Sequence, residues 1–202
     1  MLNNYTVRTR LAILALLPVT VFVITSIFTM SIMSSMVKGI DSLYDDRVIP
    51  LEQIKTVSDN YAVSIVDLFH KYRAEQISKN DFLAAVENAK GVADNKWKSY
   101  LGTKLTSEEQ RLVNIVEKNL AVVESELSKL LNQVKNNELK AIPNEVFVKS
   151  LYDVFDPLSE SYQGLINLQI NEANKFKLAS EKDFKQVTIA MSASISILII
   201  IL

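Results

Sequence analysis

Uncharged and charged stretches divide the chain into three parts. Residues 11–37 contain no charged side chain, and Arg10 and Lys38 bound this run. A helix of this length rises roughly 40 Å, enough to cross a lipid bilayer with some tilt. A second uncharged run covers residues 186–202. The pattern predicts two transmembrane helices, 11–37 and 186–202, on either side of a polar segment, 38–185.

A cleaved signal peptide is the alternative interpretation of the first run, because Arg8 and Arg10 resemble the basic start of such a peptide. The apolar stretch is about twice as long as the hydrophobic region of a usual signal peptide. No Ala-x-Ala cleavage site follows it. We therefore expect an uncleaved membrane anchor.

The charges beside the first run predict its orientation. Residues 1–10 carry Arg8 and Arg10 and no acidic residue. All 23 Asp and Glu residues, and all of the 22 Lys and Arg residues except these two, lie in segment 38–185. The positive-inside rule then predicts that residues 1–10 are cytoplasmic and that segment 38–185 lies outside the membrane.

Apolar residues in the polar segment recur every three or four positions, as they do in amphipathic helices. The first predicted helix covers about 50–74, starts near Pro50, and carries the polar Ser58 in its apolar stripe. The second follows Ser78, a favourable N-cap residue, and ends near Gly102.

The third predicted helix begins with a capping box in which Thr106 and Glu109 cap each other's backbone. Its apolar stripe is the most regular in the chain: Leu112, Val116, Leu120, Val123, Leu127, Leu130 and Val134. The fourth helix begins near Asn144, is expected to be interrupted at Pro157, and carries the polar Gln169 in its stripe. It continues without a further breaker into the second uncharged run.

These elements predict the fold class. No alternating strand pattern or hairpin signal is present, and the four Gly and four Pro residues suit long helices with few turns. Four antiparallel helices return the chain to the side on which it began, as two membrane spans require. The sequence therefore predicts an all-α protein, an up-down-up-down four-helix bundle flanked by two transmembrane helices.

Composition and motifs narrow the function. A net charge of −1 argues against a strongly basic nucleic-acid-binding protein. The chain has no cysteine and one histidine, so thiol catalysis, disulfides and Cys-ligated zinc are excluded. No Gly-rich phosphate loop, nucleophile elbow or His-Glu-x-x-His motif is present. We expect no enzymatic activity, no metal, no cofactor and no nucleic-acid partner.

Several short stretches of the chain resemble sequence motifs of one protein family. They are Leu43-Tyr44-Asp45-Asp46-Arg47-Val48-Ile49-Pro50-Leu51, Tyr61-Ala62-Val63-Ser64-Ile65-Val66-Asp67-Leu68-Phe69-His70-Lys71, Trp97-Lys98-Ser99-Tyr100 and Leu165-Ile166-Asn167-Leu168-Gln169. With the order of elements, they resemble the N-terminal sensory part of bacterial methyl-accepting chemotaxis proteins, the chemoreceptors. The resemblance spans nearly the whole chain.

The resemblance implies a periplasmic sensor domain, 38–185, held in the bacterial inner membrane by spans 11–37 and 186–202. Such a domain binds a small extracellular ligand (an amino acid, organic acid or amine) directly or through a periplasmic binding protein. It transmits a helix shift across the membrane and is expected to form a homodimer. Family members continue into a HAMP linker and a long cytoplasmic hairpin, so we expect a truncated second span and signalling partners that bind a part beyond residue 202.

A ligand is expected at the end of the bundle that lies far from the membrane. The first and fourth helices bring these candidates there: Asp67, His70, Lys71, Arg73, Tyr152, Asp153, Asp156 and Tyr162. A carboxylate would pair with Arg73 beside Lys71 or His70. An amine would bind one of the three aspartates between the two tyrosine rings. Both ligand classes stay open, and a purely structural role suits each residue as well, for instance compensation of the helix dipole by Arg73.

Two other functions are compatible with the same residues. The sensor module could feed a histidine kinase or a cyclic-dinucleotide enzyme instead of a chemotaxis pathway, since input modules are shared among outputs. Alternatively, the bundle could serve only for assembly in the membrane. The polar Ser58 and Gln169 would loosen the helix packing locally, which suits a bundle with two arrangements, although ordinary hydrogen-bonded positions explain them equally well.

Overall fold

The computed structural model describes residues 6–201 and consists, over that range, of four long helices without a strand. We label them α1 (Val7–Arg73), α2 (Lys79–Leu101), α3 (Ser107–Lys135) and α4 (Asn144–Ile201). A short 3₁₀ turn, Leu139–Ala141, lies between α3 and α4. The predicted all-α class and the four helices are confirmed.

Helix α1 is continuous but contains two π-helical turns, Tyr44–Val48 and Asn60–Ile65. A π turn closes with i→i+5 hydrogen bonds and so accommodates one extra residue in the helix. Pro50 lies just after the first turn, where the helix continues instead of starting afresh. Helix α4 likewise runs through Pro157, so the expected interruption at this residue is absent.

Two compact units make up the described chain. One combines α1 up to Leu43 with α4 from Ala173 onward, and the other is Tyr44–Glu172. The second unit is the four-helix bundle. Its upper end carries the connections 74–78 and 136–143, and its lower end carries the connection 102–106.

The bundle core consists of one stripe from each helix. Large side chains with less than 2% exposure include Ile54, Tyr61, Ile65, Phe69, Phe82, Tyr100, Leu127, Phe147, Leu151, Phe155 and Tyr162. Aromatic pairs join neighbouring helices: the rings of Phe69 and Phe82 meet edge-on at 5.0 Å between centroids, and those of Trp97 and Tyr162 at 5.6 Å. Burial of this apolar surface is the main driving force for the fold.

The predicted stripes agree with the core except at a few positions. In α3, Val116 and Val123 are fully buried, whereas Leu112 and Leu120 pack at its margin. In α1 the buried residue is Val57, and the predicted Ser58 is only half-buried. Both positions satisfy a three-four spacing within the regular α-helical segment Ile49–Asp59, and the apolar one of the two is buried.

Capping confirms the predicted helix starts. The Ser78 hydroxyl accepts a hydrogen bond from the backbone N–H of Asp81. Thr106 accepts from the N–H of Glu109, whose carboxylate in turn accepts from the N–H of Thr106 at 2.7 Å. This reciprocal pair satisfies two backbone donors that a helix start otherwise leaves free.

The first unit carries the candidate membrane span. By length and composition, α1 is the helix among the described residues that is long and apolar enough to cross a membrane, and its most apolar window is not buried in protein. The second predicted span, 186–202, ends at Leu202, outside the described residues, and stays a prediction. The N-terminal residues 1–5 also lie outside them.

Replacing the capping threonine tests the local account of α3. We expect Thr106→Ala to lower the free energy of unfolding by about 1 kcal/mol, because a helix-start N–H loses its side-chain acceptor. Denaturant titration of the detergent-solubilised chain, followed by fluorescence of its single tryptophan, Trp97, measures the change. The matched control is Ser107→Ala at the neighbouring exposed position, and an equal effect of both variants would contradict the capping role.

Candidate functional site

A polar network crosses the lower end of the bundle and joins three helices. Arg47, in the first π turn of α1, donates through Nη1 to Glu109 of α3 at 3.3 Å and to Gln169 of α4 at 3.2 Å. The amide Nε2 of Gln169 donates to the same Glu109 oxygen at 2.6 Å. Glu109 and Gln169 are only 3% and 1% exposed. The network therefore holds α1, α3 and α4 in register at this end.

The Glu109 carboxylate is satisfied on both oxygens. One oxygen accepts from Arg47 and Gln169, and the other from the backbone N–H of Thr106. Burial raises the pKa of the nearby Tyr100 phenol, and the negative charge of Glu109 raises it further. A buried carboxylate without such donors would cost several kcal/mol, so this network constrains how the three helices can move.

A second polar cluster lies halfway along the bundle. The Tyr61 hydroxyl, in the second π turn of α1, donates to Glu124 of α3 at 2.5 Å, and Lys90 of α2 binds the other oxygen of that carboxylate at 2.5 Å. Burial raises the pKa of Tyr162 on α4, and the charges of Asp94 and Glu124 add to this effect. Both π turns of α1 thus carry a side chain that makes a polar contact with α3.

The structure brings two of the predicted ligand residues into direct contact at the upper end. The His70 Nε2 of α1 lies 3.3 Å from the hydroxyl of Tyr152 on α4, with donor and acceptor set by the His tautomer. The ring of Phe147 lies beneath the imidazole, edge-on at 6.0 Å between centroids. Tyr152 is 38% exposed, so this pair faces solvent on one side.

Arg73 lies next to this pair but is engaged by backbone. Its guanidinium donates to the carbonyl oxygens of Leu139 at 2.6 Å and Ile142 at 2.8 Å, and stacks 4.4 Å from the centre of the Phe147 ring. Partial burial lowers its pKa from the ordinary value. Arg73 therefore ties the connection between α3 and α4 to the end of α1.

The other predicted residues lie apart from this pair. Asp67 and Lys71 form an exposed ion pair along α1, and Asp153 forms one with Lys149 along α4. Asp156 is exposed. Tyr162 is buried in the mid-bundle cluster. It therefore does not form an aromatic wall beside Tyr152, as the sequence predicted.

Sequence reasoning missed three contributors to these sites. Phe147, the ring shared by His70 and Arg73, was not among the candidates, although it lies on the buried stripe of α4. Arg47 was noted only inside a family-like stretch, and Glu109 only as a capping residue. Glu109 is a charged residue at a buried position of a helical stripe, and that combination is the signal that could have indicated its role.

Among the described residues, no group of three or more His, Cys, Asp or Glu side chains could hold a metal ion.

Comparison with known proteins assigns the chain to a family. The model of the "Four helix bundle sensory module for signal transduction" matches residues 4–184. The chain belongs to this family. The sensory module is also 30% identical over 175 residues to the methyl-accepting chemotaxis protein NahY of Pseudomonas putida, which covers 86% of this chain and 32% of the relative. No solved structure matches it.

The match confirms the resemblance to chemoreceptor sensory parts that the sequence motifs indicated. The sensory module spans about a third of the length of this curated relative. Its bundle, its polar networks and its continuous first and last helices are therefore properties of an input module for signal transduction.

Removing the cation of the lower network tests its energetic role in the module. We expect Arg47→Met to lower the free energy of unfolding by about 2 kcal/mol, because a buried carboxylate loses its positive partner. The control is Lys55→Met in the exposed Lys55–Asp59 pair, for which we expect a change within about 0.5 kcal/mol. Denaturant titration followed by Trp97 fluorescence compares the two, and equal losses would argue against the network.

The buried phenols make stability depend on high pH. Tyr61, Tyr100 and Tyr162 all have pKa values raised above the ordinary 10.0. Since the folded state holds these protons more tightly than the unfolded state, their stabilising effect is complete below pH 10.0 and declines as the pH rises above it.

Tyr61→Phe should therefore flatten the decline, whatever it does to stability at neutral pH. The measurement is the denaturation midpoint as a function of pH, with phenolate absorbance recorded in parallel. An unchanged slope in Tyr61→Phe would show that its proton is not held by the fold.

Proposed function

We propose that the chain is the sensory input module of a transmembrane chemoreceptor. It binds a small extracellular ligand and transmits a helix shift across the bacterial inner membrane to control chemotaxis signalling. The N-terminus is cytoplasmic, the bundle is periplasmic, and the module works as a homodimer. The observation that carries this proposal is the unbroken helix α4, Asn144–Ile201, which belongs to the bundle at one end and to the second uncharged run at the other.

The ligand site we propose is the solvent-facing contact at the upper end, with His70 and Tyr152 as the groups that touch the ligand. Together they offer a hydroxyl and an imidazole nitrogen, which can donate to a carboxylate or accept from an amine. Arg73 provides positive charge beside them, with two of its donors already held by carbonyl groups. The exposed pairs of Asp67 with Lys71 and of Asp153 with Lys149 lie apart from this contact and are not part of the proposed site.

A ligand there can bias the bundle only if it binds one arrangement of α1 and α4 more tightly than another. His70 and Tyr152 lie on these two helices, so a ligand that bridges them senses their relative position. Helix shifts of 1–2 Å belong to the known repertoire of signalling transitions. The lower network, which also joins α1 to α4, must rearrange or move as a block when such a shift occurs.

The test is a thermal-shift panel of amino acids, organic acids and amines on the solubilised chain. We expect at least one compound to raise the melting temperature, as ligand linkage requires. Tyr152→Phe, which removes only the hydroxyl, should weaken that compound's binding about tenfold, the equivalent of 1.4 kcal/mol.

The matched control is Lys149→Ala, on the same helix but outside the His70 contact, which should bind normally. Equal binding by the wild type and Tyr152→Phe would reject the site. A panel without any active compound would reject direct sensing and favour a periplasmic binding protein as the carrier.

A further inference from the structure

Gly39 is placed in the interior of α1, where glycine costs about 1 kcal/mol relative to alanine. A Cβ at this position would lie 2.7 Å from Cζ of the Phe176 ring on α4, and closer still to Cε2. Both residues belong to the same compact unit. The other helical glycines differ: a Cβ at Gly91 meets nothing, and one at Gly164 makes an ordinary contact of 3.7 Å with Leu112.

The Phe176 ring occupies the one place on this face of α1 that lacks a side chain. Met36, Ile40 and Leu43 line the same depression, within one helical turn of Gly39 on either side. Moving the ring along α1 in either direction would drive it against one of these larger side chains. Overlap of the ring with one of these side chains would be repulsive, so the ring has a preferred place beside Gly39.

We propose that Gly39 and Phe176 are positioning residues that form a notch and a knob, and that they set the resting register of α4 against α1. The signalling shift then moves the ring relative to the notch, so the fit defines one of the two states. This inference rests on the proposed function for its signalling meaning. The register itself does not depend on any ligand.

A second contact in the same unit provides a reporter of that register. The hydroxyls of Thr25 on α1 and Ser194 on α4 lie 2.8 Å apart. The chain has no cysteine, so Thr25→Cys with Ser194→Cys creates a single disulfide pair. The rate at which it forms depends steeply on the separation and direction of the two side chains.

The experiment measures disulfide formation in this double-cysteine chain, full length and in native membranes, under a fixed oxidant. Adding Gly39→Ala should slow disulfide formation at least about fivefold, because the new methyl group takes the place of the tip of the Phe176 ring, which then no longer holds α4 in its register. Adding Phe176→Ala to that variant should restore the rate to within about twofold, since the knob that clashes is gone. Gly91→Ala is the matched control and should leave the rate unchanged.

A normal rate in Gly39→Ala, or a slow rate that Phe176→Ala does not restore, would overturn the proposal. Restoration by the second substitution also separates a register effect from simple misfolding. If restoration is seen but no compound of the ligand panel changes the rate, the notch stands and only the proposed ligand function fails.

Discussion

A carboxylate inside a helical bundle is tolerated only if donors surround it, and Glu109 meets this condition with groups from three different places. Arg47 comes from α1, Gln169 from α4 and the Thr106 N–H from the start of α3. Because each donor is fixed to its own helix, the carboxylate specifies how the three helices align at the lower end. The apolar core supplies most of the stability, but apolar contacts are less directional and would tolerate sliding that this network resists.

The two π turns explain how one helix can serve both the core and these polar contacts. Tyr44–Val48 presents Arg47 to the lower network, and Asn60–Ile65 presents Tyr61 to Glu124. Each turn absorbs an extra residue without ending the helix, so α1 stays continuous from Val7 to Arg73. Such turns are frequent at functional sites, where they set the direction of a side chain that a regular helix would point elsewhere. Helix α4 is likewise continuous, and it connects the bundle to the second uncharged run.

The parts of this structure that sequence reasoning predicted are those governed by local rules. The capping box of Thr106 and the stripe through Val123 and Leu127 depend on residues only a few positions apart in the chain. Their patterns can therefore be recognised in the amino-acid sequence. The burial of Val57 instead of Ser58 was not visible, because both positions satisfy a helical three-four spacing. Arg73 was placed correctly at the upper end, yet its carbonyl partners have no side-chain signature. Helix α4 passes through Pro157 because bundle packing outweighs the loss of one backbone hydrogen bond.

In the proposed mechanism a bound ligand changes the position of α4 relative to α1, and the distance between two spin labels reports this change. Asp41 on α1 and Asn174 on α4 are exposed, and with no native cysteine both can be labelled as cysteine variants without competition. In membranes, saturation with a compound that stabilises the chain should shift the mean label distance by about 1–2 Å. Superimposable distance distributions with and without that compound, at proven saturation, would rule out a ligand-driven movement of α4 relative to α1.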